Sequence, residues 1–425
     1  MFRHVPSTDS IVPMDSGFAR RADRRGKLRY WIAGLPLIAA AAITFNAPAP
    51  AETSSDITPA PVEAQQQARW SAGNIRQLVA AIEAAEAEGL NPADYQLAAL
   101  RAALANDDHG ASMDSLADGA ALSLARDYAD GRIQDKAAFD WHIEPRTDAG
   151  ALPAQLAEAL DRGTLSGWLH GLLPDNDQYR ALKAAYAAAS PGDATRDVLR
   201  ANLERWRWMP RTLGDRYIFV NVPSYRLELM GNGVEEASYN VVVGAPKTPT
   251  PQLALQAQSV IANPAWILPP SVLREAGWRN KGYSVTRRAD GSLMVRQAPG
   301  PRNALGRIKI DMPNPMAIYL HDTPNKAAFN KTDRALSHGC IRVQNIEELA
   351  ALLHGQDLDE ALADPTRTRV LQLEKSVPVY IVYFTARADA DGTIRYLNDP
   401  YRHDQALVDR IGNSGDHNTL RMAAR

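Results

Sequence analysis

Residues 321–343 read HDTPNKAAFNKTDRALSHGCIRV, and the rest of the chain is organised around them. The stretch holds the single cysteine of the chain, Cys340, preceded by Ser337, His338 and Gly339. Just upstream, Met316-Ala317-Ile318-Tyr319-Leu320 is an apolar run that predicts a strand and puts His321 at its end. A thiol attacks as the thiolate, and a histidine beside it can take its proton. Glycine reaches backbone angles that other residues avoid. Gly339 can therefore let the turn expose the sulfur and aim the Gly339 and Cys340 amides at a developing oxyanion. Fifteen residues lie between His321 and Ser337, enough for a loop that returns the histidine over the cysteine. A cysteine taken singly is most often a small buried apolar residue; the surrounding constellation is what points to a nucleophile.

That constellation, His321, a spacer, Ser337-His338-Gly339-Cys340, a β-branched residue and Arg342, resembles the active-site signature of the YkuD family of L,D-transpeptidases. Many members carry Asn where Arg342 stands. An Arg followed by Val343 is similar to the large Gram-negative branch typified by YcbB. So are the flanks, Ile318-Tyr319-Leu320-His321-Asp322-Thr323-Pro324 and Asn303-Ala304-Leu305-Gly306.

Composition narrows the alternatives. At 425 residues and 45% hydrophobic content the chain is long enough for two or three domains with real cores. A formal net charge of −2 gives no case for nucleic-acid binding, which needs a basic domain. One Cys and nine scattered His offer no paired metal-ligand spacing, and His109, His142 and His170 read as surface or packing residues.

Taken in order, residues 1–51 predict a signal peptide or membrane anchor. A basic flank, Arg20 to Arg29, precedes sixteen uncharged residues, Tyr30 to Phe45, and Ala49-Pro50-Ala51 is a possible cleavage site. Residues 52–68 are rich in Pro, Ala, Ser, Thr and Gln and predict a disordered linker. From 69 to 200 the pattern is helical and alanine-rich. Ser71 caps a first helix carrying Ile75, Leu78, Val79 and Ile82 and stopped by Gly89, and further helices follow to Ala189. The aromatic end of the next helix, Trp206 and Trp208, predicts packing at a hinge. From Arg216 the period drops to two. Strands are expected at Tyr217–Val222, Tyr225–Met230, Ala237–Val243, Leu253–Ala262, Leu371–Leu373, Val377–Thr385 and Thr393–Leu397. Asn345 with Glu348 three later reads as a capping box. Residues 270–312, long for a plain connection and carrying nine basic against three acidic residues, predict a lid suited to a substrate bearing carboxylates. Residues 401–425 predict a flexible tail.

The expected fold class is therefore α+β multidomain: an α-helical scaffold domain over 69–200, then a mostly-β YkuD-type catalytic domain over 201–400 with a lid at about 270–312. The resemblance implies acyl transfer on peptidoglycan stem peptides, with Cys340 as nucleophile and His321 as base. It implies 3→3 cross-linking, or hydrolysis or lipoprotein attachment through the same acyl-enzyme; a non-catalytic cell-wall scaffold is the reading from another class. Carbapenems and other β-lactams are the implied inhibitors and the periplasm the implied location, with the inner membrane touched only through the N-terminal segment. No metal or organic cofactor is expected. Arg342 either forks onto a carboxylate or fixes the loop. Ser337 and His338 shape the turn, His338 alternatively tuning the thiolate, and Tyr319 supports the site or touches substrate. The branch commonly carries a small peptidoglycan-binding domain near residue 190. Here Ser190-Pro191-Gly192 runs within a few residues into Asp197-Val198-Leu199, and there is no room for it.

Overall fold

The computed structural model describes residues 69–108, 110–144, 148–279 and 281–412. The expected leader, the linker, His109 and the end of the chain past 412 lie outside the described residues. Among the described residues no helix is long and apolar enough to cross a membrane.

Among the described residues seven α-helices come first: α1 Ala72–Ala84, α2 Leu97–Ala105, α3 Ala111–Asp130, α4 Leu152–Asp161, α5 Leu165–Gly171, α6 Asp177–Ala188 and α7 Ala194–Trp208. Ser71 caps α1 by accepting from the Asn74 amide, and Gly89 takes a left-handed conformation where the helix stops, as the sequence predicts. Ile75, Leu78 and Ile82 sink into one core with Leu124, Leu156 and Leu182. The tightest approach in this layer is at Gly131, which follows α3 at φ 84°. A Cβ there would sit 2.5 Å from Trp208 Nε1 and 2.6 Å from Glu204 Oε1. Glu204 is fully buried, and its carboxylate is saturated by Arg207 (2.7 Å), Trp208 Nε1 (3.0 Å) and the Ile133 amide (2.9 Å). That is the condition under which a buried charge is tolerated.

The second layer is mostly strand: β1 Arg216–Asn221, β2 Arg226–Gly231, β3 Val234–Gly244, β4 Leu253–Ala262, then β5 Trp266–Ile267, α8 Pro270–Leu273, β6 Ser284–Arg287 and β7 Leu293–Gln297. After these come β8 Ile308–Asp311, β9 Leu320–His321, β10 Ala335–Ser337, β11 Ile341–Val343, α9 Ile346–His354, α10 Asp359–Leu362 and β12 Arg369–Val382. The last elements among the described residues are β13 Ala386–Ala388, β14 Ile394–Tyr396 and α11 His403–Gly412. The main sheet runs β10-β3-β11-β9-β8-β4-β12-β1-β2, and β2 pairs back onto β3, so eight strands close on themselves. Closure leaves few free edges. Ile218, Val220, Val241, Val260, Ile310, Ile341 and Val379 fill the interior, and Leu349 and Leu353 of α9 join them.

Five expectations are corrected. The run Met316–Leu320 is not a strand: only Leu320 and His321 pair, because Ala317 sits at φ 55° and turns the chain. The stretches 371–373 and 377–385 are one strand, β12, interrupted by a register shift between Gln372 and Val377 and held between β4 and β1. The capping box does not form, since Asn345 is left-handed at φ 51° and its side chain makes no cap. Residues 403–412 are no flexible tail but the helix α11, which buries Leu407 and Ile411 in the helical core. Finally, α7 runs unbroken through the expected boundary at 200/201. Its end is tied to the strands: Trp206 stacks on Phe384 at 4.6 Å, Asn202 bonds Thr385, and Arg205 pairs with Asp404 at 2.6 Å.

Candidate active site

The register places the motif residues on one face. β11 pairs parallel with β9, Ile341 opposite Leu320 and Arg342 opposite His321, while Lys309 of β8 faces His321 from the other side. Side chains alternate along a strand, so His321, Arg342 and Lys309 form one row, and Tyr319 and Cys340, two residues back, lie on the same face. Lys309 Nζ sits 4.5 Å above the Tyr319 ring and pairs with Asp311 at 2.6 Å.

Cys340 lines a cavity of about 720 Å³. One wall is Ala265, residues 267–271 and Leu273 with Arg288 and Leu293; the other is Lys309, Met316–Tyr319 and His338. The first wall belongs to the inserted segment, a three-stranded sheet β5-β7-β6 whose hairpin turns at Asp290-Gly291 as the sequence predicts. The insert touches the motif directly, since His338 Nε2 lies 2.8 Å from Glu275 Oε1.

Ser337, His338 and Gly339 form a sharp turn with Gly339 at φ 114°. Ser337 Oγ donates to the Cys340 carbonyl (2.6 Å) and accepts the Gly339 amide (3.1 Å). The Gly339 amide is therefore engaged within the turn, so of the two expected oxyanion donors it is the Cys340 N–H that makes no hydrogen bond among the described residues. The Cys340 thiol donates to the Ala317 carbonyl at 3.5 Å. His321 is buried, and its Nδ1 bonds the Asp322 carbonyl at 2.5 Å, which leaves Nε2 as the nitrogen able to accept a proton. Asp322 is held in turn by the Arg307 amide (3.0 Å) and Lys326, and Gly306 at φ 62° lets the two segments close, since a Cβ there would strike Asp322.

Electrostatics keep the pair neutral at rest. Burial, then the Arg342 charge, lowers His321 to about 3. Burial raises the Cys340 thiol, against the Tyr319 amide and hydroxyl, Lys309 and Arg342, all of which favour the thiolate. Tyr319 is itself held well above the usual phenol range, first by burial. Among the described residues no group of His, Cys, Asp and Glu could hold a metal ion.

Sequence reasoning did not find Thr248, Thr250, Glu275 or Tyr401. Lys247-Thr248-Pro249-Thr250-Pro251 was legible only as a rigid turn, yet Thr248 Oγ1 donates to the Ser337 carbonyl (3.0 Å) and Thr250 Oγ1 to the Gly339 carbonyl (2.7 Å). Of the three histidines read as structural, His142 pairs with Asp140 at 2.8 Å and His170 is exposed on α5.

The structure is thus a closed, mostly-β domain with a cysteine and a buried histidine on one face, behind a helical layer. Comparison with known proteins makes it particular. The model for the L,D-transpeptidase catalytic domain, YkuD, matches residues 215–381, and the Scaffold domain model matches residues 63–185. The chain thus carries a YkuD L,D-transpeptidase catalytic domain behind a scaffold domain. A Haemophilus influenzae protein named, provisionally, as an L,D-transpeptidase is 30% identical over 287 residues, 59% of this chain. The match spans 57% of that relative's length. Solved structures that align include the Enterococcus faecium L,D-transpeptidase catalytic domain acylated by ertapenem, 16% identical at a TM-score of 0.25 over 40% of this chain and 99% of that one. Mycobacterium tuberculosis L,D-transpeptidase 1 aligns at 15% identity and a TM-score of 0.21, over 40% and 61%.

Proposed function

We propose that this chain is an exported cysteine L,D-transpeptidase that cross-links peptidoglycan stem peptides through a Cys340 acyl-enzyme. The observation that carries the reading is Cys340 on the wall of the cavity beside Arg288, Lys309 and His338, with His321 on the same sheet face. The Arg288 and Lys309 charges suit a stem peptide with several carboxylates, and a thiol acyl carrier needs no metal.

Cys340 Sγ attacks the carbonyl of the third, L-centred diaminopimelate of a tetrapeptide donor, and the new oxyanion meets the Cys340 N–H. His321 Nε2 takes the thiol proton and returns it to the departing D-alanine amine as the C–N bond breaks. The amine of a second diaminopimelate side chain then attacks the thioester. A C–N bond forms, the C–S bond breaks, and the amine proton passes through His321 to the thiolate. Water or a protein amine at this last step would give hydrolysis or protein attachment instead. Arg342, one strand from His321, is the candidate fork for a substrate carboxylate. Pairing there would offset the charge that holds the imidazole down and make the base stronger once substrate is bound. Because the substrate is the wall, export to the periplasm through residues 1–51 is part of the proposal, and the 270–312 segment is read as the substrate-covering lid.

The test is purified protein with disaccharide-tetrapeptides, followed by chromatography and mass spectrometry. D-alanine release and 3→3 dimers are expected, with a single carbapenem adduct on intact protein. All three should vanish in Cys340→Ala, a change expected to leave melting nearly unaltered. Dimers formed by folded Cys340→Ala would overturn the reading.

A further inference from the structure

The nucleophile turn is held by Thr250, and Thr250 is held in turn by Tyr401, which lies outside the 215–381 segment that matches the catalytic-domain model. Thr250 is 2% exposed, and its hydroxyl donates to the Gly339 carbonyl (2.7 Å) while accepting the Gly244 amide (2.8 Å). The Thr250 amide in turn donates to Tyr401 Oη (3.1 Å), and Tyr401 Oη donates to the Gly244 carbonyl (2.7 Å). Gly244 is glycine of necessity, since a Cβ would lie 2.3 Å from the Thr248 carbonyl oxygen. Tyr401 is fixed by its own amide, which donates to Tyr383 Oη (2.8 Å), and Tyr383 Oη donates to Asp399 (2.5 Å). Asp399 also accepts the His403 and Asp404 amides at the start of α11, each at 2.9 Å.

The consequence follows from peptide planarity. The Gly339 carbonyl and the Cys340 N–H belong to one peptide unit and point in opposite directions in the trans form. Whatever fixes that carbonyl fixes the aim of that N–H. The Gly339 amide is spent on Ser337 Oγ, whereas no hydrogen bond among the described residues engages the Cys340 amide. We infer that Thr250, clamped by Tyr401, is a positioning residue that aims the Cys340 N–H at the oxyanion formed during acylation. The inference rests on the proposed acyl-enzyme and extends the working catalytic unit to the segment 399–403.

The experiment separates two reactions of one sulfur in the full chain. Acylation of Cys340 by p-nitrophenyl acetate passes through an oxyanion; alkylation by iodoacetamide needs the thiolate but forms none. Thr250→Val keeps the shape and removes the hydroxyl. Its acylation rate should fall about 10- to 100-fold, with alkylation within about twofold and its pH midpoint unmoved, since removing an oxyanion donor outright costs about 100- to 1,000-fold and misaiming it costs less. Tyr401→Phe should show the same selective loss, about 3- to 10-fold. Thr250→Ser should restore the acylation rate. Parallel loss of both reactions, no loss of either, or failure of Thr250→Ser to restore acylation would each overturn the inference. If Thr250→Val does not fold, the acylation-to-alkylation ratio in Tyr401→Phe decides alone. Wild-type protein that releases no D-alanine from a tetrapeptide sinks the proposed substrate, while the ratio still reports on Thr250.

Discussion

Arg342→Gln should raise the pKa of His321. Arg342 and His321 face each other across paired strands, and its charge is the second cause, after burial, that holds the imidazole near 3. Adjacent strands lie about 4.8 Å apart, so a separation on the order of 6 Å is taken for the two side-chain charges. At an effective dielectric of about 20, two unit charges at that distance interact by about 3 kcal/mol, roughly two pK units. Arg342 is half-buried, and solvent around it reduces this to between one and two units, roughly. The midpoint should therefore move from about 3 to somewhere below 5, while burial keeps it under the ordinary value for histidine. The assay is an NMR titration of ring-labelled histidine, with the His321 signal assigned by its loss in His321→Gln. Arg342→Lys retains the charge and should leave the midpoint within about half a unit. A His321 midpoint that does not move in Arg342→Gln would show that burial alone sets it, and would remove the electrostatic link between substrate carboxylate and base.

Further outcomes follow from the same geometry. The depressed His321 binds its proton only in the unfolded chain between roughly pH 6.5 and 3, so stability rises with pH across that window. Denaturant unfolding at pH 4 should show about 3 kcal/mol less stability from this one group than at pH 7, and His321→Gln should flatten that part of the slope. Gly131→Ala should cost about 3–5 kcal/mol, because its Cβ meets Trp208 and Glu204 and its φ is left-handed; a melting temperature equal to wild type would contradict this packing. Replacing 272–300 by a short Gly/Ser linker should leave the closed sheet folded and Cys340 reactive toward a small β-lactam but abolish cross-linking of muropeptides; wild-type cross-linking would reduce the insert to a connection.

What was legible in the sequence, and what was not, divides along the range of the interactions. The helices of 72–188 were readable because local rules place them: Ser71 caps its own helix, and Ile75, Leu78 and Ile82 repeat at helical spacing. The hairpin of the insert was readable because Asp290-Gly291 demands that turn. Cys340 and His321 stood out as candidates because four motif residues are contiguous, and the structure puts both on one face. The failures share a cause. Met316–Leu320 has a strand's composition, but Asn314 Oδ1 accepts from the amides of Met316 and Ile318 and its amide bonds the Ile318 carbonyl, so a single side chain diverts the backbone. The segment after Asp404 is polar on average, yet Leu407 and Ile411, four apart, are enough to seat a helix on a core built more than 200 residues earlier. Tyr401 gave no signal because its partners, Gly244 and Thr250, are about 150 residues away and the bonds run largely to backbone, whose amides and carbonyls carry no residue identity. A motif therefore announces the residues proposed to react, while the contacts that hold them are dispersed through the chain and become visible only when the sheet closes.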